Sequence, residues 1–116
     1  MNVAIVGSRN FHNYDLFLKH VNDFIEKYDF PDKIISGGAK GADTLARRWA
    51  EEYGVTIKEY FPNWSLGRCA GPLRNKDIIT NSTHMLAFQS KDGSGTQNAI
   101  KLAKEKGIKI IVIHYV

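Results

Sequence analysis

Five short apolar runs set the strongest limit on what this chain can become: Val3 to Val6, Lys33 to Ile35, Val55 to Tyr60, His84 to Phe88 and Ile108 to Ile113. Several are nearly continuous in Val, Ile, Leu and Phe. That is how strands look when helices cover both of their faces. The segments between them carry helical spacing. After Asn13, a good N-cap type, Phe17, Val21, Phe24, Ile25 and Tyr28 recur at helical intervals up to Pro31. Ala42, Leu45, Ala46, Trp49, Ala50 and Tyr53 form a second stripe, closed by Gly54. A third helix is predicted from Pro72 towards Asn81. A fourth carries Ala99, Ile100, Leu102 and Ala103, with Lys101, Lys104 and Lys106 outside and Gly107 as its stop. Strict alternation with short connections predicts an α/β chain: a three-layer sandwich around a mainly parallel sheet of about five strands, joined by right-handed crossovers.

The 116 residues, 43% hydrophobic and 24% charged, suit one compact domain over residues 1–116. No apolar run approaches the ~20 residues that span a bilayer, so a membrane partner is not expected. The chain passes directly into Asn2-Val3-Ala4-Ile5 without the pattern of a secretory leader, and its single cysteine, Cys69, has no partner for a disulfide. The cytoplasm is the expected compartment. The four histidines, at 12, 20, 84 and 114, lack metal-ligand spacing, and nothing calls for a resident metal or cofactor. A formal net charge of +4 suits an anionic ligand.

In a parallel sheet, ligands bind beyond the carboxyl ends of the strands, near the point where strand order reverses, so the strand-to-helix loops are where function is sought. The first reads Gly7-Ser8-Arg9-Asn10-Phe11: a glycine that lets backbone approach an anion, a hydroxyl donor and a planar guanidinium. The second, Ser36-Gly37-Gly38-Ala39-Lys40-Gly41-Ala42-Asp43, places glycines at the start of an amphipathic helix, a recipe for exposed amides facing a phosphate. It fits neither a Walker A loop nor Gly-x-Gly-x-x-Gly. Asp43 can complement the helix dipole or take a ribose hydroxyl. The third loop is over-long; Trp64 offers a stacking face, Arg68, Arg74 and Asn75 are polar candidates, Phe61 is expected to cap the core edge and Cys69 to pack. The fourth, Ser90-Lys91-Asp92-Gly93-Ser94-Gly95-Thr96, repeats the logic of glycines, hydroxyls and a helix start at Thr96.

Taken together, Gly7-Ser8-Arg9 with Phe11 and Tyr14, Ser36 to Asp43, Trp64, Gly67, Ala70-Gly71-Pro72, Arg74-Asn75 and Gly93-Ser94-Gly95-Thr96 resemble the YspA, or cpYpsA-related, branch of the SLOG superfamily, named for DprA (Smf) and the Lonely Guy enzymes. The resemblance implies a Rossmann-like fold that binds nucleotides or nucleotide-derived ligands. It departs from the Lonely Guy motif Gly-Gly-x-Gly-Thr-x-x-Glu in two places: Asp92 replaces the first glycine, and Ala99 stands where the catalytic glutamate would be. An alanine cannot steady an oxocarbenium-like centre.

The leading expectation is therefore binding, as sensor or sequestering protein, of a nucleotide-derived small molecule such as an ADP-ribose-like or cyclic nucleotide signal. The alternative is a hydrolase cleaving an N-glycosidic or phosphoester bond with Asp43 or Asp92. DprA-like binding of single-stranded nucleic acid ranks third, because arginine and glycine gather at one crevice rather than along a basic groove. A homo-oligomer is compatible with the sequence, with Trp49 able to serve a pairing face or the core.

Overall fold

A computed structural model describes residues 1–90 and 94–115, with only the backbone of Ser94. The order is β1 (Asn2–Gly7), α1 (Tyr14–Lys27), β2 (Lys33–Ser36), α2 (Ala42–Tyr53), β3 (Thr56–Glu59), a 3₁₀ helix (Trp64–Cys69), α3 (Ala70–Thr80), β4 (His84–Gln89), α4 (Ser94–Lys106) and β5 (Lys109–His114). The strands pair in the order β3-β2-β1-β4-β5, all parallel. The α/β sandwich is thus the expected one.

Alternation along each central strand builds the layers. Val3 and Ile5 of β1 with Leu86 and Phe88 of β4 face α1 and α2, where they bury Phe17, Val21, Phe24, Leu45 and Trp49. Ala4 and Val6 with Met85 and Ala87 face α3 and α4, meeting Ile78, Ile79, Ala99, Ile100 and Ala103. Trp49 is 1% exposed, so it belongs to the core and to no pairing face. The edge strand β3 departs from the covered pattern, with Thr56 and Lys58 exposed.

Local signals explain the element ends. The Asn13 side chain accepts from the Leu16 amide and starts α1, and Gly54 closes α2 in the left-handed conformation, φ 65°. Two predicted helix starts change. Helix α3 starts at Ala70, two residues before Pro72, because any first-turn position tolerates a missing amide proton. Lys106 stays exposed as expected, and its ammonium donates to Ile79 O (2.8 Å), Thr80 O (2.9 Å) and Ser82 O (3.2 Å), capping the end of α3. Helix α4 begins at Ser94 rather than Thr96. Among the described residues, no helix is long and apolar enough to cross a membrane.

Candidate functional site

Strand order reverses between β1 and β4, and an open cleft of about 640 Å³ lies at their carboxyl ends. Of the residues singled out from the sequence, Gly7, Ser8, Arg9, Gly37, Asp43, Trp64, Arg74, Asn75, Gly95 and Thr96 line it. Ser36, Gly38, Lys40, Gly41 and Arg68 do not. Asp92, Gly93 and the side chain of Ser94 lie outside the described residues.

The first two loops are packed against each other. A Cβ on Gly7 would stand 2.5 Å from the Ala42 Cβ and 2.8 Å from Phe88 O, so only glycine lets α2 approach the end of β1 this closely. Gly41, at φ 77°, would drive a Cβ into the backbone of Ser8 and Arg9. The Ala42 N–H donates to Ser8 O (3.4 Å), which places the Ser8–Arg9 segment over the start of α2. Two more of the loop's amides turn inward: Gly38 N–H goes to Ser36 Oγ (3.4 Å) and Ala39 N–H to Asp43 Oδ2 (3.0 Å). The phosphate cradle expected along Gly37 to Asp43 thus spends three of its amides, those of Gly38, Ala39 and Ala42, within the chain. It contributes Gly37, Ala39 and the Asp43 carboxylate to the cleft.

Asp43 is 6% exposed. Burial pushes its pKa from 3.8 up to about 6, against the Ala39 N–H, the positive charge of Arg74 and the Ser36 hydroxyl, which hold it down. Arg74 is itself half-buried: it donates through Nη1 to Gly37 O (2.8 Å) and Tyr60 O (3.5 Å), and through Nε to Asn75 Oδ1 (3.0 Å). Its pKa is lowered by burial first, supported by Asp43 and lowered again by the like charge of Arg9. Two guanidinium groups thus face one cleft, an arrangement that a bound anion relieves.

Asn75, expected as a ligand contact, is 5% exposed and spends its amide on Asn98 Oδ1 (2.9 Å) and Gly95 O (3.3 Å). With Arg74 it forms a hydrogen-bonded chain from Gly37 across the cleft to the first turn of α4. Ser8 makes a second stitch, its hydroxyl 2.8 Å from Ser90 Oγ and accepting from the Ser90 N–H (3.1 Å). Asn98 and Ser90 were not legible as site residues, since each gains its role from a partner on another strand or helix. Ala39 and Asn10 also line the cleft without having been singled out. Ala99 lies in the cleft wall at 1% exposure, so the position of the Lonely Guy glutamate is apolar packing here.

Trp64 is 62% exposed on the 3₁₀ helix, which Asn63 starts by accepting from the Ser65 N–H (3.2 Å). Two neighbours differ from expectation. Phe61 does not cap the core edge; it is 64% exposed, and its ring lies so close over Gly38 that only a hydrogen fits there. Cys69 is exposed rather than packed, because the 3₁₀ helix turns every side chain outward, and its thiol donates to Leu66 O (3.0 Å). Among the described residues, no group of His, Cys, Asp and Glu is placed to share a metal ion.

The sequence is similar to that of known proteins. The family model described as YspA, cpYpsA-related SLOG family matches residues 1–67. The Gene 61 protein of Mycobacterium phage D29 is 30% identical, over 94% of this chain and 93% of its own length. No solved structure matches.

Proposed function

The chain belongs to the YspA, cpYpsA-related SLOG family, and from that premise we propose that it binds a nucleotide-derived small molecule, of ADP-ribose-like or cyclic nucleotide type, as a sensor or sequestering protein of the cytoplasm. One observation carries the reading: a single cleft at the strand-order reversal gathers Arg9, Arg74, the first turn of α4 and the exposed Trp64 ring. In the proposal Arg9 and the start of α4 take the phosphate, Asp43 a ribose hydroxyl and Trp64 the base. The apolar wall at Ala99 favours holding a ligand over cleaving it by the Lonely Guy route.

A second reading has one observation behind it. A buried carboxyl that titrates near 6 inside a cleft is suited to general acid work, which keeps a hydrolase using Asp43 in view. One experiment separates the two. The protein is titrated by calorimetry with ADP-ribose, AMP and cyclic AMP, and the mixtures are then resolved by chromatography. Saturable binding with intact ligand supports the sensor, turnover supports the hydrolase, and no heat from any of the three rejects the nucleotide reading.

A further inference from the structure

The two arginines of the cleft are not equivalent. Arg74 is committed to Gly37 O, Tyr60 O and Asn75, and its charge is set against Asp43. Arg9 is exposed and makes no hydrogen bond or ion pair with a side chain among the described residues. We propose that this asymmetry gives the cleft a polarity: a nucleotide is accepted with its phosphate towards Arg9 and a ribose hydroxyl towards the Asp43 carboxylate, and one that carries a second phosphate on that hydroxyl is turned away.

The inference rests on the nucleotide reading and deepens it. An ionised carboxylate only accepts hydrogen bonds, so it needs a donor opposite it. A hydroxyl supplies one; a phosphate dianion does not, unless a proton comes with it. The Ala39 N–H and the Ser36 hydroxyl already satisfy part of Asp43. The remaining charged groups around it leave this logic intact. Arg74 from α3 opposes its charge, and Glu59 from β3 is paired with Arg47 of α2 at 2.6 Å. The backbone of Gly37 lies beside both Asp43 and Arg74, and the guanidinium is spent on Gly37 O, Tyr60 O and Asn75.

The test compares AMP with adenosine 2′,5′-bisphosphate by calorimetry, in the natural protein and in Asp43→Asn, at pH 7.5 and 5.5. AMP is expected to bind at least tenfold tighter at pH 7.5, with the gap narrowing at pH 5.5 and closing at both pH values in the variant. Equal affinities in the natural protein at pH 7.5, or an undiminished gap in the variant, overturn the polarity while AMP binding keeps the nucleotide reading. A second arm needs no nucleotide and no variant. The carboxyl carbon of Asp43 is titrated by NMR with and without saturating sulfate, and an anion held in the same cleft raises the midpoint. A raised midpoint without nucleotide binding rejects the nucleotide reading alone; an unmoved midpoint overturns the polarity.

Discussion

Arg9 and Arg74 look alike in sequence and share a cleft, yet their surroundings separate what their removal does. Arg74→Ala strips Gly37 O and Asn75 Oδ1 of a donor and leaves Asp43 buried without its counter-charge, which costs about 2 to 4 kcal/mol of stability. Arg9→Ala removes an exposed side chain and changes stability by about 0.5 kcal/mol or less, while nucleotide affinity falls at least tenfold. Denaturant unfolding and calorimetry on the two variants check both statements, and equal stability losses would contradict the assignment. Asp43 makes the pH dependence unusual. Its carboxyl binds protons more tightly in the folded state, about 6, than its ordinary 3.8. Its contribution is therefore full below pH 4 and is lost as pH rises through 6, opposite in sign to a salt-bridged carboxylate. The size is about 3 kcal/mol at 1.36 kcal/mol per tenfold. Unfolding measured from pH 4 to 7 is expected to show this fall in the natural protein and its loss in Asp43→Asn.

Among the elements, the close approach of α2 to the first loop is the feature on which the cleft depends. Gly41 and Gly67 adopt nearly the same unusual backbone, φ 77° and 71°, but a Cβ at Gly41 strikes the Ser8 and Arg9 backbone whereas one at Gly67 meets nothing within 4 Å. Gly67→Ala therefore carries the conformational strain alone, about 1 to 3 kcal/mol. Gly41→Ala adds about 1 to 3 kcal/mol of overpacking and displaces the Ser8–Arg9 segment. Thermal unfolding and ligand titration of the pair test this: Gly67→Ala keeps the cleft, and Gly41→Ala loses both stability and binding. The helices themselves were legible. The Asn13 cap, the α2 stripe and Gly54 each act through neighbours three or four residues away, which is the range that periodicity reads. The 3₁₀ helix Trp64–Cys69 was not legible, because a run of exposed residues carries no buried face to mark it.

Across the whole molecule, the two tryptophans report different things. Trp49 sits in the core at 1% exposure and Trp64 stands at the cleft mouth at 62%. In Trp49→Phe the remaining emission comes from Trp64, and saturating ADP-ribose is expected to cut its acrylamide quenching at least by half; undiminished quenching would remove Trp64 from the site. The layered sheet was settled by sequence alone, since apolar runs covered on both faces and alternating with amphipathic helices leave only a parallel sheet between two helical layers. The same patterns located the loops that meet at the reversal between β1 and β4. Tertiary structure decided which groups in those loops are spent within the chain and which stay open at the cleft. Ser8 O covers the start of α2, Asp43 turns back to Ala39, and Asn75 spends its amide on Asn98 and Gly95. Whether a polar group is spent inside the chain or left open depends on partners far away in the chain, 82 residues for Ser8 and Ser90 and 105 for Asn10 and Tyr115. Local sequence fixes a residue's chemistry, and only the packed chain fixes what that chemistry is aimed at.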